Sequence, residues 1–138
     1  MRLEDHIPCR FLAITAHAVS AITILQSRHE NVISCLPLKY EQREYEDRDA
    51  ELIAALSLTL IGLSLELLGF LGGLSTFNVR VTVISICAHT AACVASAFFV
   101  WDYWPCHYYW IIVASCSFLP ALMEIFLLVG IFACKKPV

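Results

Sequence analysis

Residues 81–101 read VTVISICAHTAACVASAFFVW, a run without Asp, Glu, Lys or Arg. At 1.5 Å per residue a helix of this length covers about 30 Å, the hydrocarbon thickness of a bilayer. Three further stretches match it on either side. Phe11–Ser27 is held between Arg10 and Arg28, whose side chains can snorkel to opposite headgroup layers. Leu52–Leu74 carries one charge, Glu66, and Tyr109–Cys134 carries one, Glu124. The whole 138-residue chain is 59% apolar and 15% charged, with a mean hydropathy of +0.73. Eleven of its 21 charged residues crowd into Arg28–Glu51. An ordinary soluble domain is about 25% charged and spreads its charge more evenly. A soluble enzyme, a nucleic-acid binder and a disordered chain are therefore poor readings. The expectation is an all-α membrane protein, one tetraspan domain over residues 1–138 folded as a four-helix transmembrane bundle.

Phe11–Ala21 alone has the length of a signal-peptide core. The acidic flank Glu4-Asp5, the interrupting His17 and the apolar run beyond Ala18-Val19-Ser20 favour a retained helix. The connections are unequal. Ser75–Arg80 and Asp102–Tyr108 read as tight turns, the second rich in the aromatic residues Tyr103, Trp104, Tyr108, Tyr109 and Trp110 that belong at a bilayer interface. Arg28–Glu51 is the one sizeable loop. Its first half, Val32–Leu38, is apolar enough to lie on the membrane surface. Its second half is charged, and the Glu44/Arg48 spacing suits a helix leading into the second span.

Basic residues number five on the terminal side (Arg2, Arg10, Arg80, Lys135, Lys136) and four on the loop side (Arg28, Lys39, Arg43, Arg48). The lysine pair directly after the last span places both termini in the cytosol. Cys35 and Cys106 then share the opposite, exoplasmic side. They are free to pair in an oxidising compartment or to remain two separate thiols. Cys9 and Cys134, at membrane borders on the terminal side, are candidates for palmitoylation.

Lipid offers no hydrophobic drive between helices, so small and polar residues mark the faces that pack. In the second span Ala55, Thr59, Gly62, Glu66, Gly69 and Gly73 follow one another at three- and four-residue steps, with Gly69 and Gly73 as a GxxxG pair. The third span shows Ser85, His89, Ala92 and Ser96, the fourth Ala114, Ser117, Ala121 and Glu124, the first Ala13, His17 and Ser20. Pro120 is expected to kink the fourth helix. His17, Glu66, His89 and Glu124 therefore turn inward. Burying an ionisable group at mid-bilayer costs roughly 2.5–3.5 kcal/mol even on insertion scales. Three roles stand for them: polar packing across helices, metal ligation, or a proton or ion path. The metal reading lacks the Glu-x-x-His signature of di-metal bundles, and a path calls for more polar residues than one per helix. No HExxH, GxSxG or Gly-rich phosphate loop is present. Catalytic, cofactor-binding and metal-binding residues are accordingly expected to be none.

The order and spacing of many short pieces carry a resemblance. They include Arg10-Phe11-Leu12, Ala16-His17, Ser27-Arg28, Cys35-Leu36-Pro37-Leu38, Glu44-Tyr45 and Ala54-Ala55-Leu56-Ser57. Glu66-Leu67, Gly69-Phe70, Phe77-Asn78, Ala88-His89, Cys106, Tyr109-Trp110, Leu119-Pro120-Ala121, Glu124 and Lys135-Lys136-Pro137 follow. Over nearly its whole length the chain is similar to the transmembrane protein 107 family, small tetraspan proteins of the ciliary transition zone. The resemblance implies a non-enzymatic part in the Meckel-syndrome module. Its partners would be tectonic-type and other multispan transition-zone proteins and the lipid bilayer, not nucleic acid. It also implies a role in ciliogenesis, in gating of ciliary membrane proteins and in Hedgehog signalling. The rival from another class is a small proton or ion channel or transporter built around Glu66 and Glu124.

Overall fold

A computed structural model describes residues 3–73 and 78–134, the side chains of 3–5 and 134 excepted. The basic residues Arg2, Lys135 and Lys136, the candidate lipidation side chain of Cys134 and the first half of the second turn lie outside the described residues. Helix α1 runs Leu3–Gln26, α2 Arg28–Ser34, α3 Gln42–Leu71, α4 Val79–Trp101, α5 Tyr108–Ile112 and α6 Leu119–Cys134. A π-helical segment, Val113–Phe118, joins α5 to α6. Among the described residues, four stretches are long and apolar enough to cross a bilayer: His6–Gln26, Gln42–Leu71, Val79–Trp101 and Tyr108–Ala133. The fourth is α5, the π segment and α6 taken together.

The charged second half of the loop becomes the exposed start of α3. Glu44 does not pair with Arg48 as its spacing suggested. Its carboxylate instead accepts from the Glu41 amide at 3.2 Å, satisfying one of the open N–H groups at the helix start. Arg48 turns to Glu51 at 2.7 Å. Asn78 caps α4, its side-chain oxygen accepting from Val81 N at 3.4 Å.

Two glycines of the second span have different fates. Gly69 is buried inside α3, but the helix stops at Leu71 and Gly73 sits beyond it with φ +73°. An added Cβ at Gly73 would touch nothing within 4 Å. The expected GxxxG pair is therefore corrected. Gly73 supplies the left-handed conformation that ends a helix, and only Gly69 packs.

The π segment also revises the fourth stripe. Pro120 has no N–H for the turn before it, and its ring crowds the carbonyl four residues back. Widening that turn relieves both conflicts. The inward set becomes Val113, Ser117 and Ala121 alongside Ile112, Cys116, Pro120 and Glu124, at steps of four, and Ala114 faces outward. Tyr109, expected in the aromatic belt, is instead fully buried and packs edge-on to Phe99 at 5.3 Å. Tyr103, Tyr108 and Trp101 remain exposed.

The loop-side half of the bundle is an apolar core. Ile24, Val32, Leu52, Leu56, Phe99 and Tyr109 fill it. Val32 brings the short α2 into this core, while Ile33 and Leu38 stay exposed. Above it the loop is tied down by polar bonds. Arg28 pairs with Asp49 at 3.0 Å, and the Trp110 indole donates to Glu51 at 3.1 Å. The structure also joins Cys35 and Cys106, 71 positions apart in sequence, in a disulfide with Cα atoms 5.8 Å apart. Closing so long a loop constrains the unfolded chain by about 3–5 kcal/mol on chain-entropy arguments. The expected result is a mobility shift on non-reducing gels that disappears in both Cys35→Ser and Cys106→Ser. Two free thiols found by mass spectrometry in cells alkylated before lysis would contradict the bridge.

Candidate functional site: a buried ionic cluster shared by all four spans

On the terminal side of the apolar core the packing faces become polar. Two turns of α1 separate Arg10 from His17. Helix α3 contributes Glu66 with Gly69, α4 contributes Ser85 and His89, and α6 contributes Glu124. Each of these side chains is essentially removed from solvent: Arg10, His17, Ser85 and His89 are 0% exposed, Glu66 1% and Glu124 2%.

Arg10 is the hub. Its Nη2 donates to Glu66 Oε1 and to Glu124 Oε2, both at 3.1 Å. Its Nε donates to Ser85 Oγ at 3.2 Å, and Ser85 passes its own proton on to Glu66 Oε1. The guanidinium also stands 5.5 Å from the centre of the Phe70 ring, within cation–π range. The snorkelling role expected of Arg10 is thus corrected. Two buried carboxylates draw the cation into the bundle, because an unpaired charge there is far more costly than a paired one.

From Glu66 the hydrogen bonds continue toward mid-bilayer. His89 Nε2 lies 2.7 Å from Glu66 Oε2, and His17 Nδ1 lies 3.0 Å from His89 Nδ1. One neutral-imidazole assignment serves both contacts. His17 Nδ1–H donates to His89 Nδ1, and His89 Nε2–H donates to Glu66. His17 Nε2 is then an acceptor with no partner among the described residues.

Gly69 makes the cluster sterically possible. A Cβ built there would lie 2.9 Å from Glu124 Cδ and 3.1 Å from its Cγ, and nearer still to Oε1. The missing side chain is the space that Glu124 occupies. Gly62 has a milder version of this role, its virtual Cβ 3.8 Å from the Ser117 carbonyl. Thr59, buried beside them in α3, returns its hydroxyl proton to the Ala55 carbonyl at 3.0 Å. Of the residues expected to turn inward, His17, Glu66, His89 and Glu124 meet in this cluster. Ala55 and Thr59 pack in the loop-side half. Cys35 and Cys106 lie outside the spans, and Gly73 lies past the helix end. The sequence reading placed Ser85 on the inward face of its span but missed Arg10 as a member of the network.

The fold and the cluster define a class: a small tetraspan bundle that closes on a shared ionic network. The sequence model of the TMEM107 family, described as a transmembrane protein, matches residues 6–128. The chain belongs to this family. A zebrafish (Danio rerio) transmembrane protein 107 is 48% identical over 128 residues, covering 93% of this chain and 95% of its own. The human (Homo sapiens) one is 46% identical over 135 residues, with 98% and 96% covered. That of Xenopus laevis is 44% identical over 134 residues, with 97% and 96% covered. No solved structure matches the chain.

Proposed function

We propose that the chain is a non-enzymatic assembly component of the ciliary transition zone. In this reading it works in the Meckel-syndrome module with tectonic-type and multispan membrane partners. It supports ciliogenesis, the gating of ciliary membrane proteins and Hedgehog signalling. The resemblance to the transmembrane protein 107 family supports this cellular setting. The observation that carries the assembly reading is the arrangement around Arg10, in which its two carboxylate partners and the Ser85 hydroxyl come from the three other spans. Groups bound to one another in this way fix four helices into one rigid body, which is what a scaffold needs. A tagged copy in ciliated cells should concentrate at the ciliary base beside a transition-zone marker. Diffuse plasma-membrane signal would overturn the proposal.

One observation favours a second reading. The run His17–His89–Glu66–Arg10 is a continuous hydrogen-bonded line within the bilayer, and such lines can pass protons. Glu66→Gln separates the two. If Glu66 is polar packing, the amide keeps its hydrogen bonds to Ser85 and Arg10, and enrichment at the ciliary base should stay within about twofold of wild type. Glu66→Leu should lose it. If Glu66 carries protons, both variants should localise normally and abolish proton flux in proteoliposomes alike.

A further inference from the structure

The disulfide that closes the loop has one accessible end. Cys106 is 5% exposed, whereas Cys35 is half-buried and lines a pocket of about 390 Å³ on the loop side of the bundle. Cys35 and Pro37 stand on one wall of this pocket. Glu44, Asp47, Arg48 and Glu51, from the first three turns of α3, form the other. A thiol arriving from water therefore meets the bridge at Cys35, through this pocket.

The lining is not neutral. Three carboxylates against one guanidinium leave it a net charge of −2. Arg48 is held by Glu51 at 2.7 Å, so those two charges offset each other. Glu44 turns to the Glu41 amide at 3.2 Å and keeps its charge. Asp47 is exposed and has no ion pair or hydrogen bond among the described residues. The attacking species in thiol–disulfide exchange is a thiolate, so the pocket opposes the reagent that would use it. Opening the bridge, on the other hand, leaves no sulfur without a partner. Cys35 Sγ lies 3.7 Å from the Trp104 carbonyl oxygen, and Cys106 Sγ lies 3.8 Å from that of Asn31. Once reduced, each thiol has an acceptor for its proton already in place. The neighbouring anchors are non-covalent and survive reduction: Val32 in the apolar core and Arg28 on Asp49. The ionic cluster holds the spans from the other half of the bundle.

We propose that the Cys35–Cys106 bridge is a redox clamp on the loop-side cap, opened at Cys35 and guarded by charge. The acidic pocket turns away anionic small thiols and admits cationic ones. A thiolate attacks Cys35 Sγ, the S–S bond breaks, and Cys106 leaves as a thiolate that takes a proton from water. A second thiolate then attacks the reagent's sulfur in the mixed disulfide and releases Cys35, which is protonated in turn. Two small thiols are oxidised to one small disulfide, and the protein bridge is reduced to two thiols. Opening frees α2 from the third turn while the four spans stay packed. The inference depends neither on a ciliary role nor on how the ionic cluster is used.

The test uses the full chain in phosphatidylcholine nanodiscs, whose zwitterionic surface adds no net charge. Reduction by cysteamine, which is cationic, and by glutathione, which is anionic, is timed on alkylated samples by non-reducing gels. Each rate is referred to the thiolate present and to the same reagent's rate on an uncharged small disulfide. Cysteamine should then be favoured by about tenfold at low ionic strength, and the preference should collapse in high salt. Asp47→Lys, an exposed change that brings the lining to neutrality, should reduce it to within about threefold of parity. Glu46→Lys makes the same change of charge outside the lining and should alter the preference less. Brief treatment followed by alkylation and peptide mapping should find the mixed disulfide on Cys35 and the alkyl group on Cys106. After full reduction, hydrogen exchange in α2 should quicken by about tenfold or more, with α4 unchanged. Equal normalised rates would overturn the proposal, as would a preference indifferent to Asp47→Lys or a mixed disulfide on Cys106. Exchange unchanged in α2, or raised along α4 as well, would overturn the clamp.

Discussion

Replacing Arg10 with Leu is expected to destabilise the bundle by about 3–5 kcal/mol, the usual consequence of removing one partner from a buried ion pair. The effect should fall at the upper end, because the loss strands two carboxylates rather than one. Glu66 and Glu124 would then face each other's charge with no cation between them. The loss comes mainly from what is left behind, so it should be recoverable without restoring the arginine. A triple variant, Arg10→Met with Glu66→Gln and Glu124→Gln, keeps volume and hydrogen-bonding capacity while removing all three charges. It should regain more than half of the loss. Denaturation in mixed micelles, or steady-state abundance in cells, measures both. If Arg10→Leu is as stable as the wild type, the cluster does not hold the bundle together.

Gly69→Ala is expected to cost about 2–4 kcal/mol, a large effect for a single methyl group. The new carbon would fall within 3 Å of the Glu124 carboxyl, so Glu124 must swing away and leave Arg10 Nη2. Overpacking alone accounts for about 1–3 kcal/mol, and the broken ion pair adds to it. Gly69→Ile should abolish assembly. Gly130→Ala is the natural control, since its Cβ would meet nothing within 4 Å. Leu67→Ile with Leu71→Ile tests bulk placed off the packing face. The mechanism also predicts non-additivity. Once Glu124 is Ala, the Gly69→Ala change should cost little more, because the side chain it displaces is gone. Full additivity would show that Gly69 acts through some other contact.

The architecture is legible in the sequence because the bilayer imposes two simple requirements. Spans must be long and nearly free of charge, and the charges inside them must face one another. The gaps between charges therefore locate four helices, and Ser85, His89, Ala92 and Ser96 fall on the buried face their spacing indicates. The errors have a common origin: local position was read where a long-range partner decides. Arg10 stands at the border of an apolar run, where arginines usually reach for headgroups. Its partners lie 56 and 114 residues away. The signal was nonetheless present. Two intramembrane acids lacked a cation, and Arg10 shares a helix face with His17 at two turns' distance. Gly73 was misplaced because a GxxxG spacing presumes that the helix continues, whereas the Gly72-Gly73 doublet marks its end. Ala114 was misplaced because Pro120 widens the turn before it, and periodicity cannot register an inserted π turn. Tyr109 was placed by residue type alone, although its position at the first turn of the fourth span puts it over Phe99.

The wide separation of Arg10 from its partners also sets a timetable for synthesis. The ribosome delivers Arg10 first, Glu66 some 56 residues later and Glu124 after 114. Until the last span arrives, the nascent first helix carries a guanidinium whose neutralising partners do not all yet exist. Alone in lipid, that helix accommodates the guanidinium by letting it reach for the headgroup layer. A chain truncated before residue 124 leaves this arginine without its second carboxylate. The same residue that fastens the finished bundle thus gains its second carboxylate only when the fourth span is in place.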